Sequence, residues 1–321
     1  MQGKKSNRVI VAGITGNVLE WYDFAVYGFF APILARLFFP SEDPTVSLIA
    51  AYGAFAAGFL MRPLGAALFG HVGDRYGRKK ALMLSIIMMA IPSLAIGFLP
   101  TYDQIGILAA VLLVILRMLQ GVAVGGEYTT SIVYLSETAP ADRRGYFSSW
   151  AMSGANGGIL LGSLIGAGLS FLITDAQLQS WGWRVPFLLG VLVAASAFFL
   201  RRRMDDSKST ERLSFPLGHV IKHHWRKVVH IICLNAGFAV AYYIGFVYVS
   251  GWLVSEMHET HAEAMTINSI AIASMFVLVP LLARLSDRVG RRPLLITGAA
   301  LVTLLVHPLG WVMAQPDPAY A

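Results

Sequence analysis

About nine apolar segments, each long enough to cross a bilayer, recur along this chain, and the loops between them alternate in charge. No other feature restricts the fold so tightly. A membrane-crossing helix needs about 20 mostly apolar residues. Spans are read at about 13–38, 46–72, 81–99, 105–135, 146–173, 184–200, 227–254, 264–284 and 293–314. Basic residues gather in every second loop. Lys4, Lys5 and Arg8 precede the first span, Arg75, Arg78, Lys79 and Lys80 follow the second, and Arg143 and Arg144 follow the fourth. Arg201, Arg202, Arg203, Lys208, Arg212, Lys222, Arg226 and Lys227 follow the sixth span, and Arg284, Arg288, Arg291 and Arg292 follow the eighth. The other loops carry acids: Glu42, Asp43, Asp103, Asp175, Glu256, Glu259, Glu263 and Asp317. A miscounted span would break this alternation. Loops rich in Lys and Arg stay in the cytoplasm, so the N-terminus is expected on the cytoplasmic side of the plasma (inner) membrane.

Composition agrees. Charged residues make up 13% of the 321 residues and hydrophobic ones 56%, whereas a soluble domain carries about 25% charged residues. So few charges cannot cover a soluble surface, and lipid must cover most of the outside. The net charge of +7 is a topology signal rather than a sign of nucleic-acid binding. The first segment is retained rather than cleaved as a signal peptide, because it contains Glu20 and Asp23 and lacks an Ala-x-Ala exit. Cys233 is the single cysteine, so no intrachain disulfide forms. The fold class is therefore an all-α polytopic membrane protein.

The chain repeats itself. Gly70-His-Val-Gly-Asp-Arg-Tyr-Gly-Arg-Lys-Lys80 follows the second span, and Ala283-Arg-Leu-Ser-Asp-Arg-Val-Gly-Arg-Arg-Pro293 follows the eighth. Asp74, Arg75, Gly77 and Arg78 align with Asp287, Arg288, Gly290 and Arg291 at one offset. The same offset carries the first span onto the seventh. A parallel repeat of six-helix halves is a transporter architecture. The expected organisation is an N-terminal six-helix bundle at 1–200, a cytoplasmic linker at 201–226 and a partial C-terminal bundle of helices seven to nine at 227–321. An amphipathic surface helix is expected in the linker around Phe215–Trp225. The repeat also places about three further helices beyond Ala321, so the second half is expected to be incomplete at its C-terminal end. Within the repeated loop, Gly suits a tight turn or close helix approach. Asp accepts from a neighbouring helix N-terminus, and Arg and Lys anchor at an anionic membrane face. Gly70, Asp74, Arg75, Gly77, Arg78, Asp287, Arg288, Gly290 and Arg291 are thus candidate gating residues. The alternative is two ordinary basic loops.

Several motifs carry a resemblance. Gly16-Asn-Val-Leu-Glu-Trp-Tyr-Asp-Phe24 with Phe38-Phe-Pro40, Arg62-Pro-Leu-Gly65, Arg117-Met-Leu-Gln-Gly-Val-Ala-Val-Gly-Gly-Glu127 and Trp181-Gly-Trp-Arg-Val-Pro-Phe187 resemble the metabolite:proton symporter family of the major facilitator superfamily. That family includes proline/betaine, α-ketoglutarate, citrate and shikimate permeases. The resemblance implies a major facilitator fold of two six-helix halves, alternating access between them, and a central site near the bilayer midplane.

Charges inside spans are costly and point to function by default. Asn17, Glu20, Asp23 or Phe24, and Tyr27 share one face of the first span, and Arg117, Gln120, Val124, Glu127 or Tyr128, and Ser131 share one face of the fourth. Such stripes belong in a bundle interior. The functional reading makes Asp23, Glu20 and Glu127 proton-coupling groups and Arg117 the contact for an organic anion. Substrate at Arg117 would then free Asp23 or Glu20 to take up a proton. Asn17, Tyr27, Gln120, Tyr128 and Asn156 are candidate substrate contacts, with Tyr242, Tyr243 and Tyr248 contributing from the second half. The structural reading is a charge pair that only joins the first and fourth spans. Arg36 and Arg184 sit near span ends and can snorkel; Arg62, next to Pro63, is a hinge or anchor candidate. Gly158, Gly162 and Gly166 repeat every four residues, as in close helix packing. No Pro follows them, so the Gly-Pro signature of drug/proton antiporters is absent, which favours symport. Trp181, Trp183, Trp252 and Trp311 read as interfacial belt residues. His307 is a candidate proton relay, and no His shows metal-ligand spacing.

The leading function is proton-coupled uptake of a small carboxylate-bearing metabolite or zwitterion. The partners are the solute, the proton and the bilayer, with no cofactor, metal or nucleic acid. The alternative is a non-transporting membrane sensor or binding protein, or an inactive truncated transporter. An enzyme is disfavoured, because the chain shows no nucleophile motif, metal set or phosphate loop.

Overall fold

In lipid a backbone must satisfy its own hydrogen bonds, so apolar segments of this length become helices. The computed structural model describes residues 2–202, 216–245, 249 and 261–313. Two compact units are present: Met1–Pro140 with Phe147–Gly218, and Ala141–Tyr146 with His219–Ala321.

The first unit contains α1 (Gln2–Phe38), α2 (Pro44–Tyr76), α3 (Arg78–Phe98), the single-turn α4 (Tyr102–Ile105), α5 (Ile107–Thr138), α6 (Arg144–Leu172) from Phe147 onward, and α8 (Arg184–Arg202). Between α6 and α8, the short α7 (Asp175–Gln177) runs into a π-helical turn at Leu178–Gly182. Local chemistry sets the ends. Asp43 caps α2 by accepting from the Thr45 N–H at 2.8 Å, with Pro44 at the first turn. Thr101 with Gln104, and Thr174 with Gln177, form capping boxes. Gly77 separates α2 from α3 at φ 102°, a conformation that a side chain disfavours.

Helices α2 and α5 pack backbone to backbone. A Cβ on Gly121 would collide with the Gly58 carbonyl, and one on Gly125 with the Arg62 carbonyl. Helix α6 meets α1 in the same way: a Cβ on Gly158 would strike the Val18 carbonyl and the Tyr22 N–H. Along the predicted four-residue repeat the contact loosens, and at Gly166 a Cβ would make only ordinary contact, with Phe30 at 3.7 Å and Phe29 at 4.0 Å.

A buried aromatic cluster closes one end of this bundle around Tyr22, Tyr27, Phe38, Trp183 and Phe187. Trp183, expected in the interfacial belt, is instead fully buried, edge-on to Phe38 with ring centres 5.5 Å apart. The π-helical turn feeding α8 precedes it directly. Trp181 is half exposed, and Trp311 is exposed; Trp252 lies outside the described residues.

The second unit contains α9 (Pro216–Tyr243), α10 (His261–Val289) and α11 (Arg291–Met313). Helix α9 leaves helical geometry at His224 (φ −130°, ψ 20°). The stretch before that kink coincides with the expected amphipathic segment; residues 203–215 of the linker lie outside the described residues. Gly290, at φ 97°, separates α10 from α11 as Gly77 separates α2 from α3.

Among the described residues, seven helical stretches meet the length and apolarity of a membrane span: Gly13–Phe38, Pro44–Tyr76, Arg78–Phe98, Ile107–Thr138, Arg144–Leu172, Arg184–Arg202 and Thr266–Val289. Of the remaining two expected spans, 293–314 overlaps α11, and 227–254 overlaps α9 as far as Tyr243, with 246–248 and 250–254 outside the described residues.

Candidate functional site

The polar stripes of α1 and α5 face each other with opposite direction. Asn17 Nδ2 donates to Ser131 Oγ at 2.9 Å near one end of the contact. Two turns along α1, Arg117 Nη1 donates to Asp23 Oδ2 at 3.0 Å. Both members of this ion pair are buried, at 0% and 1% exposure, so each depends on the other and on the surrounding polar groups rather than on hydration. The pair sits in a closed network. Arg117 Nη1 also donates to Gln120 Oε1 at 2.8 Å, and Gln120 Nε2 donates to Asp23 Oδ2 at 2.8 Å and to Ser93 Oγ at 2.9 Å. The Ser93 hydroxyl donates to Asp23 Oδ1 at 2.6 Å.

Aromatic rings form the other wall. The Arg117 guanidinium lies 4.2 Å from the Tyr27 ring centre and 4.6 Å from that of Phe24. Tyr27 is held by its hydroxyl, which donates to the Ala51 carbonyl at 2.9 Å, and by stacking on Phe55. Arg62 lies against Phe59 at 3.8 Å and against Phe24 at 4.7 Å. Phe24 thus contacts two guanidinium groups, an arrangement that cation–π attraction favours. Arg62 is therefore more than the backbone hinge that the adjoining proline pointed to.

A second ion pair was not anticipated. Glu127 pairs with Arg201 rather than with Arg117. Both Arg201 Nη groups donate to the carboxylate, Nη1 at 2.8 Å. Arg201 Nη1 also donates to the Leu82 carbonyl at 2.9 Å, and the Ser85 hydroxyl donates to Glu127. In the sequence Arg201 merges with Arg202 and Arg203 as one basic run, yet it is fully buried while Arg202 is exposed. Gly16 makes room for this pair, since a Cβ there would overlap Glu127 and Arg201. Glu20 is 2% exposed, and among the described residues neither of its carboxylate oxygens has a hydrogen-bond partner.

The Major Facilitator Superfamily model matches residues 13–320. The chain is 37% identical to the α-ketoglutarate permease of Escherichia coli K12 over 315 residues, covering 97% of this chain and 73% of that one. It is 34% identical to the proline/betaine transporter of the same strain, covering 95% of this chain and 64% of the relative. The chain belongs to the major facilitator superfamily. The chain thus spans about two thirds to three quarters of the length of these relatives. A shikimate transporter of E. coli K12 is 34% identical. Among solved structures, the proton:xylose symporter XylE superposes with a TM-score of 0.78 over 100% of this chain and 78% of that one, at 18% identity; this likeness concerns the fold. These relatives are transporters rather than enzymes, and this superfamily member is a multi-pass membrane protein.

The remaining candidates fall in different places. Tyr128 turns to α6, its hydroxyl 3.8 Å from Met152 Sδ. Asn156 is buried on α6. Tyr242 belongs to the second unit, half-buried, with its ring 6.4 Å from that of Phe238. Tyr248 lies outside the described residues. His307 is exposed on α11.

In the first repeat loop, Arg78 reaches Asp74 at 2.6 Å and Glu137 at 3.5 Å, while Arg75 is exposed and lies over Tyr76. Gly70 makes no close approach, because a Cβ there would meet open space. In the second loop, Arg291 reaches Asp287 at 2.8 Å, and Arg288 is exposed. Asp287 also accepts from the backbone N–H groups of Gly145 and Tyr146, each at 2.8 Å, in the first turn of α6. This is the helix-terminus contact expected of an Asp in that loop. Among the described residues no group of three His, Cys, Asp or Glu side chains is placed to hold a metal ion.

Proposed function

We propose that this protein moves a small carboxylate-bearing metabolite or zwitterion inward together with protons, by alternating access, with its N-terminus in the cytoplasm. The observation that carries this reading is the buried Asp23–Arg117 pair within the Gln120–Ser93 network. A guanidinium shared between an internal carboxylate and an incoming one is an exchange device. When a substrate carboxylate takes the Arg117 hydrogen bond, Asp23 loses its counter-charge in a desolvated place, and a proton from solution restores neutrality. The reverse order releases substrate and proton together. Tyr27 and Phe24 fix the guanidinium plane for this exchange. The two repeat loops, with Asp74–Arg78 and Asp287–Arg291, act as latches at the inner face. Its relatives, an α-ketoglutarate permease and a proline/betaine transporter, match this substrate class.

The test is uptake of α-ketoglutarate, proline and betaine into proteoliposomes with an acidic exterior. At least one should accumulate, and collapsing the proton gradient should abolish accumulation. Asp23→Asn should keep solute exchange and lose accumulation. Gradient-driven accumulation by Asp23→Asn, or uptake indifferent to the gradient, would overturn the reading.

A further inference from the structure

Glu20 is the buried acid that the Asp23–Arg117 exchange leaves unused. It sits one helical turn from Asp23 on α1 and is buried to the same degree. Asp23 and Glu127 each receive hydrogen bonds from an arginine; among the described residues the Glu20 carboxylate receives none. An ionised carboxylate with no donor inside a membrane bundle is strongly destabilised. A bound proton removes that cost.

The surroundings provide a path. Glu20 and Glu127 line one small cavity with Gly16, Ser85, Met89 and Val124, and it has room for about one water molecule. The charged and titratable groups around Glu20 come from three neighbouring helices: Arg62 on α2, Glu127 and Tyr128 on α5, and Arg201 on α8. Arg201 is held by the Leu82 carbonyl on α3 and Glu127, at the end of α8 that leads into the basic linker. Gly16 leaves the space that lets Glu127 and Arg201 meet there.

We infer that Glu20 is a proton-binding site that holds one proton as a neutral acid and relays it between Asp23 and the Glu127–Arg201 pair, at the end of the bundle that carries the basic loops. The step is a plain proton transfer. Glu20 gives its proton through the cavity to the Glu127 carboxylate. Glu127 then loosens its hold on Arg201 and releases the proton to the inner aqueous side. Glu20, now an anion, takes the next proton from Asp23. The inference rests on reading Asp23 as the entry carboxylate. It gives Arg201 a role that the loop count hid: Arg201, itself held by the Leu82 carbonyl, fixes the Glu127 carboxylate at the edge of the cavity.

Infrared difference spectroscopy on the purified chain in nanodiscs tests this without any solute. Wild type at neutral pH should show a protonated-carboxyl stretch that shifts in deuterated water. Glu20→Gln should remove that band, and Asp23→Asn should keep it. Exchange of the band in deuterated water should slow at least tenfold in Glu127→Gln, or in Ser85→Ala should Glu127→Gln not fold. Absence of the band in folded wild type, its persistence in Glu20→Gln, or an unchanged exchange rate would overturn the relay. A chain that shows the Glu20 band but takes up no solute would instead overturn the transport reading alone. Gradient-driven uptake without the band would overturn the relay alone.

Discussion

Arg117 on α5 donates to Asp23 on α1 at 3.0 Å, with both side chains shielded from solvent. Such a pair is asymmetric in energy. Removing one member strands a buried charge, at a cost of about 3–5 kcal/mol, whereas replacing both by apolar groups is near neutral. Arg117→Leu is therefore expected to lower the thermal unfolding midpoint strongly in detergent. The double variant Asp23→Leu/Arg117→Leu should recover most of that loss. A double variant as unstable as the single one would show that Gln120 and Ser93, rather than the opposite charges, hold the site together.

The glycines of the two repeat loops separate into two kinds. Gly77 and Gly290 adopt φ 102° and φ 97°, whereas Gly70 is helical with open space where a Cβ would stand. Gly77→Ala and Gly290→Ala should each cost about 1–3 kcal/mol. Gly70→Ala should cost nothing measurable in the same thermal unfolding series.

Asp287 accepts from the Gly145 and Tyr146 N–H groups and also receives Arg291. Losing a carboxylate cap costs about 0.5–2 kcal/mol. In Asp287→Ala the amides of Gly145 and Tyr146 should exchange hydrogen faster, by about fivefold or more for each 1 kcal/mol lost. Asp74→Ala should leave those two amides unchanged, because Asp74 pairs with Arg78 instead. Peptide-resolved hydrogen exchange reads both.

The polar stripes of α1 and α5 were legible in the sequence because helical periodicity alone brings Asn17, Glu20, Asp23 and Tyr27 to one face, and Arg117, Gln120, Glu127 and Ser131 to another. Which acid meets which arginine was not legible. Glu127 and Arg117 lie on the same helix, but partner choice depends on how α3 and α8 pack, and no local pattern encodes that. Ser85 and Ser93 carried the missing signal as two hydroxyls in the otherwise apolar run of α3. Arg201 was hidden by its neighbours: three consecutive arginines read as one loop, although a helix end that continues inward buries the first and exposes the second. Trp183 was misread for a related reason. Belt position follows from depth along the bundle normal, whereas burial follows from rotation about the helix axis, and the π-helical turn before α8 intervenes. The repeated loop was legible because its two copies share Gly, Asp and Arg at fixed spacing, and both copies place the glycine at positive φ.

The α2–α5 contact yields the sharpest stability test, because it depends on hydrogen atoms standing where side chains normally are. Gly121 and Gly125 lie four residues apart on α5 and press against the Gly58 and Arg62 carbonyls of α2. A Cβ at Gly125 must displace backbone, which cannot rotate away as a flexible side chain does, so Gly125→Ala should cost at least about 1–3 kcal/mol. The same motion would carry Arg62 off Phe24 and disturb the wall behind Arg117. Gly125→Ala should therefore lose stability and solute binding together. Gly53→Ala, on the same α2 helix but with nothing within 4 Å of the added carbon, should leave both intact. Thermal unfolding and ligand-induced tryptophan fluorescence on the two variants compare the outcomes. Equal behaviour of Gly53→Ala and Gly125→Ala would show that α2 and α5 can separate without consequence for the Arg117 site.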